Sequence, residues 1–145
     1  MEQAFDSTGT IVAMIRSALP AAAHKAPAQL PILNLAYIGD TVFDLYVRTM
    51  LVSDVDARVH ELHLMSAKRV CAGGQAQAFR RIEPMLSEEE LGIYKRGRNS
   101  HMGTVAKNAS IADYRTATGL EALIGYLFLC GRDDRLTELM KLMLG

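Results

Sequence analysis

Two carboxylates, Asp40 and Glu121, lie in stretches that are otherwise apolar. Asp40 lies inside LAYIGDTVF at residues 35–43, and Glu121 lies inside TGLEALIGY at residues 118–126. A carboxylate on a buried helix face costs several kcal/mol unless it is paired or binds a metal. Both segments also contain glycine, which permits close approach of another element. We therefore expect Asp40 and Glu121 to bind a metal ion. The alternative is that each caps a helix or meets an arginine.

Ligation by carboxylate oxygens alone suits Mg²⁺ or Mn²⁺, which keep several water molecules in their coordination shell. Such an ion activates water and stabilises the oxyanions of an in-line phosphodiester displacement. Asp44 follows Asp40 by one helical turn, so both carboxylates share a helix face, and Asp44 could support the ligands or join them. The alternative is that Asp44 is an exposed acid near the middle of its helix.

Basic residues are concentrated between the two acidic segments. Residues 91–118 contain five Lys or Arg and one acid, Asp113, although the whole chain has 16 basic and 16 acidic residues. Arginine forks and Asn amides beside flexible glycine suit phosphate oxygens, and this stretch leads directly into the segment with Glu121. We expect it to bind a nucleic-acid backbone, with a solvated basic loop as the alternative. The candidate contacts are Arg96, Arg98, Asn99, Lys107 and Asn108.

Other metal-binding patterns are incomplete. His60 and His63 share a helix face, but their spacing is not that of HExxH, and no nearby His or Cys completes a zinc site. Cys71 and Cys130 are 59 positions apart and form neither a CxxC pair nor a disulfide framework. We expect solvated or hydrogen-bonded histidines and reduced thiols in the core of a cytosolic protein.

Length and composition indicate one soluble cytoplasmic domain. The chain has 145 residues, half of them hydrophobic, which is enough for a single core. Its longest apolar run is about half of the roughly 20 residues that a membrane span needs. The first residues carry acids where a signal peptide would carry positive charge.

The spacing of apolar residues has a helical period in nearly every long segment, which predicts an all-α fold of six to eight helices. Ser7 or Thr8 should cap the first helix, Asp54 or Asp56 the third, and Ser87 opens a capping box. Prolines make residues 21–31 a linker. Expected helix ends or interruptions are Pro20, Gly73-Gly74, Pro84, Gly97 and Gly131, and the expected helices span about 7–19, 32–51, 56–70, 75–82, 88–97, 111–130 and 133–143.

The segment LAYIGDTV at residues 35–42 resembles the signature helix of the ribonuclease III endonuclease domain. RGRN at residues 96–99, KNA at residues 107–109 and TGLEALIGYL at residues 118–127 are similar to the Mini-ribonuclease III group, which lacks a double-stranded-RNA-binding domain. The resemblance spans residues 30–139, and the blocks agree in order and spacing. It implies a homodimeric, Mg²⁺-dependent endoribonuclease that trims double-stranded stems of the large-subunit (23S) ribosomal RNA precursor.

The resemblance also assigns roles. Asp40 matches the signature aspartate and Glu121 the glutamate of the late catalytic helix, both metal ligands. Larger ribonuclease III enzymes carry further carboxylates at the positions of Ala36 and Thr118, and the Mini group lacks them as this chain does. Position 44 is usually Glu in this group, and Asp44 is one methylene shorter. Thr118 and Asp44 could support the ligands from behind.

Double-strand cleavage by so small a domain requires a two-fold dimer, because one metal site cuts one strand. Val42, Phe43 and Tyr46 are candidates for its interface, and burial in the core of one chain is the alternative for each. A different class of function also stays open. A chain of this fold could be a non-catalytic RNA-binding or ribosome-associated module. The two intact carboxylates favour an enzyme.

Overall fold

The computed structural model describes residues 11–18, 25–100 and 110–145. These residues form seven α-helices and two short 3-10 helices, and no described residue lies in a β-strand. The all-α prediction is therefore confirmed. The α-helices are α1 (Ile11–Ala18), α2 (Ile32–Asp54), α3 (Val59–Val70), α4 (Ala72–Ile82), α5 (Glu88–Arg98), α6 (Ile111–Leu129) and α7 (Asp133–Leu144).

Helix α6 is the centre of the fold, and it packs against α2, α4, α5 and α7. Within residues 117–127 every residue is buried except Glu121, which is half-buried. Leu120, Leu123 and Leu127 are fully buried and join one hydrophobic cluster with Phe43 and Leu35 of α2. A helix that is apolar on nearly all sides belongs in the middle of a domain, so a charged residue on it must have a specific environment.

Several predicted helix ends are confirmed. Ser87 begins α5 with a capping box, since its Oγ accepts from the Glu90 amide at 3.2 Å while the Glu90 carboxylate accepts from the Ser87 amide at 2.9 Å. Gly131 adopts a left-handed φ of 69° just after α6, where glycine carries no Cβ penalty. The predicted caps Ser7 and Thr8 lie outside the described residues, as does Pro20.

Other predicted boundaries are wrong. Helix α2 continues to Asp54, so neither Asp54 nor Asp56 caps α3, and Arg58 precedes that helix instead. Gly73 and Gly74 lie inside the first turn of α4, and the interruption comes before them at Cys71, whose backbone is extended. Gly74 permits this junction, because a Cβ on it would overlap the carbonyl oxygen of Lys68, whereas a Cβ on Gly73 would meet only an ordinary contact with Asp113 at 3.8 Å.

Helix α5 ends at Arg98, one residue beyond its predicted end at Gly97, and Gly97 has a second role. It lies inside α5, and a Cβ built on it would come within 2.9 Å of both Ala122 Cβ and Gly119 Cα of α6. Its missing side chain serves helix contact, because only hydrogen atoms fit between the two backbones at this point. The C-cap of α5 is Asn99.

The two cysteines are free, but the prediction that both are core residues is wrong for Cys71, which is exposed. It occupies the junction between α3 and α4, where its Sγ accepts a hydrogen bond from the Gly74 amide at 3.4 Å. Cys130 is half-buried after α6. No helix among the described residues combines the length and apolar character needed to cross a membrane.

Candidate active site

Helices α2 and α6 cross in backbone contact at two glycines. A Cβ on Gly39 would overlap the carbonyl oxygen of Glu121, and a Cβ on Gly125 would overlap the carbonyl oxygen of Leu35. Because Gly39 and Gly125 have no side chains, the axes of α2 and α6 approach more closely than they could with larger residues at these positions. Asp40 is the residue after Gly39, so this crossing sets its carboxylate beside Glu121.

The Asp40 and Glu121 carboxyl groups interact directly. Burial of Glu121, the negative charge of Asp40 and a hydrogen bond between the two side chains raise the pKa of Glu121 to about 8. Desolvation and a neighbouring like charge both disfavour the ionised form. Metal-site carboxylates lacking their cation have this signature, since a divalent ion would stabilise both charges at once.

Asp40 is not buried as the apolar sequence around it predicted. Its side chain is exposed, because its position on α2 opens into a cleft between α2 and α3 rather than into the core. The pair therefore joins one solvent-accessible carboxylate to one half-buried carboxylate. An RNA phosphate and the waters of a hydrated cation could reach this pair from the Asp40 side.

Asp44 lies one turn after Asp40 and lines the same cleft. Its Oδ2 accepts from Arg48 Nε at 3.0 Å, so its charge is largely offset by an ion pair within α2. Thr118 is buried one turn before Glu121, and its Oγ1 donates to the Tyr114 carbonyl at 3.0 Å. Among the described residues, no group of three or more His, Cys, Asp or Glu could hold a metal.

The donor set nevertheless fits Mg²⁺. This ion dehydrates reluctantly and is usually bound through one or two carboxylates, with waters and substrate phosphates completing its octahedron. Asp40 and Glu121 supply those carboxylates, and the pKa of Glu121 is raised first by burial and then by the charge of Asp40, the part that a cation would relieve. A structural zinc site would need four protein ligands, which this pair does not offer.

The predicted phosphate contacts Arg96 and Arg98 lie in the last turn of α5. The guanidinium of Arg98 lies 5.6 Å from the centre of the Tyr94 ring, and that ring stacks on Phe79 at 3.9 Å. Arg98 Nε also donates to Asn99 Oδ1 at 3.2 Å. The cation–π contact and the hydrogen bond favour one conformation of Arg98 in advance of binding, whereas Arg96 is exposed.

The contact between α5 and α6 positions this basic cluster. Gly97 meets Gly119, and a Cβ on Gly119 would lie 2.6 Å from the Tyr94 ring. This contact holds the end of α5 against α6 at Thr118, Gly119 and Ala122. The predicted contacts Lys107 and Asn108 lie outside the described residues.

Sequence reasoning missed two parts of this site. The stack of Arg98, Tyr94 and Phe79 joins residues from α4 and α5. The spacing of Tyr94 and Arg98, one helical turn apart, could have indicated that these two side chains are in contact. The other part is the cleft wall formed by α3, including His63 and Ser66. Nothing within the α3 sequence indicates that it faces Asp40.

The fold and its paired carboxylates define a ribonuclease III type of endonuclease domain, and residues 33–132 match the family described as Ribonuclease III domain. Mini-ribonuclease 3 of Clostridium tetani is 48% identical over 117 residues, covering 80% of this chain and 78% of that protein. Mini-ribonuclease 3 of Enterococcus faecalis is 45% identical, covering 77% and 86% respectively. The chain belongs to the ribonuclease III family and to its Mini-ribonuclease 3 group, a class of endoribonucleases.

A solved structure agrees with this assignment. The crystal structure of a protein from Fusobacterium nucleatum superposes with a TM-score of 0.76 and 25% identity, covering 83% of this chain and 97% of that one. The family resemblance expected from the motifs at residues 35–42 and 118–127 is therefore confirmed.

Proposed function

We propose that this chain is a Mg²⁺-dependent endoribonuclease that hydrolyses double-stranded RNA. The observation that carries the proposal is the backbone crossing of Gly39 with Glu121, which brings the Asp40 and Glu121 carboxylates together. Two adjacent carboxylates, in a chain that carries Arg96 and Arg98 in the last turn of α5, suit phosphodiester hydrolysis, since carboxylates bind a cation and arginines bind an anionic backbone.

Asp40 and Glu121 would hold Mg²⁺, or Mn²⁺ in its place. When bound there, the ion supplies Lewis-acid activation of water and stabilisation of charge on the scissile phosphate. The protein's own contribution is positional. Glu121 is half-buried on α6, while the exposed Asp40 would meet solvent and substrate. Asp44 and Thr118 line the helix faces adjacent to the ligands and support them from behind.

We assign the contacts with the RNA backbone to Arg96, Arg98 and Asn99, together with Lys107 and Asn108 further along the chain. Arg98 is oriented in advance by its stack on Tyr94, so less side-chain entropy is lost when it binds phosphate. Double-stranded RNA exposes phosphates and 2′-hydroxyls more readily than base edges. Recognition through these residues would therefore depend on the shape of the duplex.

We propose that the active form is a homodimer assembled along α2. Val42 and Phe43 are buried within one chain, and Tyr46 donates or accepts a hydrogen bond with Thr137 at 2.9 Å, so those predicted interface residues serve the fold of the monomer instead. The same helix exposes Leu33, Tyr37 and Leu45, with Tyr37 83% exposed. An exposed apolar row of this kind favours a two-fold contact.

The substrate we propose is the large-subunit ribosomal RNA precursor, within the cytoplasm. Support for it comes from the Mini-ribonuclease III resemblance and from a chain that carries the catalytic domain's motifs. Free cysteines suit a reducing compartment. A defined precursor stem incubated with the enzyme, followed by mapping of the ends produced, would test this part separately from the chemistry.

The decisive experiment is cleavage of a long RNA duplex with and without Mg²⁺. We expect cutting by the wild-type chain in Mg²⁺, none in EDTA, and a loss of several orders of magnitude in Glu121→Gln. Glu138→Gln is the matched control, because Glu138 is an exposed glutamate on α7 outside the site. Tight duplex binding by wild type without any Mg²⁺-dependent cutting would establish the non-catalytic RNA-binding module instead.

A further inference from the structure

A cleft of about 330 Å³ with both polar and apolar lining lies between α2 and α3 and includes Asp40 of the carboxylate pair. A water molecule occupies about 30 Å³ of liquid, so the cleft has room for a sugar together with its hydrating waters. Asp40 belongs both to the cleft and to the catalytic pair. The polar residues that line it are Asp40, Thr41, Asp44, Arg48, His63 and Ser66.

The side chains of this cleft differ in how far they are already engaged. Arg48 is paired with Asp44 at 3.0 Å, and the buried Ser66 donates its hydroxyl to the His63 carbonyl at 3.1 Å. The His63 side chain is exposed. Within residues 11–18, 25–100 and 110–145, its imidazole takes part in no hydrogen bond or ion pair, so it can bind a ligand without breaking an internal contact.

The charge of the cleft selects the kind of group that enters it. Arg48 is paired with Asp44 at 3.0 Å, and Asp40 belongs to the carboxylate pair, so the lining offers a second phosphate no unpaired Lys or Arg. An uncharged hydroxyl suits this lining, because it can donate to a carboxylate and exchange hydrogen bonds with an imidazole, which has one donor and one acceptor nitrogen when neutral. Ribose is the uncharged, hydroxylated part of an RNA strand.

The position of Asp40 links the cleft to the reaction. Every ribose is bonded directly to the phosphates on either side, so a scissile phosphate at Asp40 and Glu121 brings a neighbouring sugar to the mouth of the cleft. We propose that this cleft binds the ribose next to the scissile phosphate and that His63 contacts its 2′-hydroxyl. The inference rests on the proposed function, and it makes His63 a residue that distinguishes RNA from DNA.

The test uses short RNA duplexes with one mapped cut and a single 2′-deoxy substitution at each nucleotide flanking it. With the wild-type enzyme we expect one substitution to lower kcat/KM by about three- to tenfold, the effect of one neutral hydrogen bond. His63→Ala should lower kcat/KM on the all-RNA duplex by the same factor. The deoxy duplex should then suffer no further loss, because the contact is already absent.

Two variants separate this contact from a structural role. His63→Gln retains a donor and an acceptor, and it should restore part of the 2′-hydroxyl preference. His60→Ala is the matched control, since His60 is also exposed on α3 but is absent from the lining of the cleft; it should keep the wild-type preference. If His63→Ala keeps the full penalty for every deoxy substitution, the proposal is wrong.

A binding measurement keeps this result independent of catalysis. In the Glu121→Gln background, fluorescence anisotropy compares the affinity for the all-RNA duplex with that for the deoxy duplex, before and after His63→Ala. A preference for RNA that disappears with His63 supports the cleft even if wild type cuts no RNA. Cleavage with no His63-dependent preference in either assay refutes the cleft and leaves the endoribonuclease function standing.

Discussion

Gly39 and Glu121 meet backbone to backbone where α2 crosses α6, and a Cβ at Gly39 would overlap the carbonyl oxygen of Glu121. The carbonyl belongs to a helix buried on nearly all sides, so it cannot move aside. The same contact fixes the separation of the helices and the approach of the Asp40 carboxylate to Glu121. We therefore expect stability and catalysis to depend together on the absence of a side chain at Gly39.

Gly39→Ala should accordingly destabilise the fold and reduce RNA cleavage together. Overpacking typically costs about 1–3 kcal/mol, and a backbone neighbour places this case at or above the upper end. The measurement is urea unfolding followed by circular dichroism, with a cleavage assay on the same preparation.

Gly92→Ala provides the matched control. Gly92 also lies inside a helix, but it is exposed and a Cβ there meets nothing within 4 Å. Alanine should stabilise α5 by about 0.5–1 kcal/mol. Equal effects of the two substitutions would show that the crossing does not depend on Gly39.

The helical pattern and the paired carboxylates could be predicted from sequence, because burial of an acid in LAYIGDTVF or TGLEALIGY violates a local rule and indicates function. The helical period of the apolar residues, however, indicates which face of a helix is apolar, but it does not indicate which other helix packs against that face. Asp40 was therefore expected inside, although α2 turns it towards the cleft with α3. The exposure of an acid depends on the neighbour, which the local sequence does not specify.

Gly97 and Cys71 illustrate the same gap. A glycine near a helix end usually terminates it, yet Gly97 serves contact with Gly119 of α6, a residue distant in sequence. The paired glycines at 73–74 lower helix propensity, but the chain breaks earlier, at Cys71, because the first turn of α4 must pass close to the Lys68 carbonyl. Tertiary contacts determine whether such a glycine ends a helix or packs against another helix. These contacts cannot be read from a single sequence.

The two carboxylates should act as one unit. Asp40→Asn and Glu121→Gln each remove a charge while keeping side-chain size, so each should lower cleavage by several orders of magnitude. The double variant should be little worse than either single variant, because both ligands serve the same metal. Single-turnover rates at saturating enzyme measure this, and multiplicative losses would instead indicate independent roles.

The raised pKa of Glu121 leads to a prediction of how the stability of the metal-free protein changes with pH. Its pKa in the folded state is raised from the usual 4.5 to about 8, so the folded chain keeps a proton that the unfolded chain has lost between those values. The free energy of unfolding should therefore fall as pH rises through this window, by at most about 1.4 kcal/mol per pH unit. Glu121→Gln should abolish that slope and be more stable than wild type near pH 8.

Binding of Mg²⁺ should stabilise the ionised form of Glu121, which burial and Asp40 disfavour. Binding requires the ionised carboxylate, so it should release protons below about pH 8 and tighten as pH rises towards that value. Calorimetry in buffers of different ionisation enthalpy counts the protons, and melting curves should show stabilisation by Mg²⁺ that EDTA removes. The Glu121→Gln chain supplies the control and should release none.

A substitution at Tyr37 tests the proposed homodimer. Because its side chain is 83% exposed on α2, Tyr37→Lys should leave the fold of one chain intact while placing like charges together near a two-fold axis. Sedimentation should then show monomers, and native gels should show nicked rather than severed duplex. Leu142→Lys changes an exposed residue of α7 and should remain dimeric. A monomeric wild type with full double-strand cutting would contradict the assembly.

Arg96 tests RNA binding apart from chemistry. If its guanidinium contacts a phosphate, Arg96→Ala should weaken binding about equally for all duplex sequences and lower the slope of log K against log salt by roughly one unit. Cleavage by saturated enzyme should fall less than affinity, because such a contact stabilises the ground state and transition state alike. Lys141→Ala removes an exposed positive charge from α7 and should leave the slope unchanged.

Arg98→Ala should also lower the salt slope. The folded protein should in addition melt at a lower temperature, because the contact of Arg98 with the Tyr94 ring would be lost. If Arg96→Ala and Arg98→Ala together keep wild-type affinity and salt dependence, the RNA backbone crosses another surface, while the roles of Asp40 and Glu121 are unaffected.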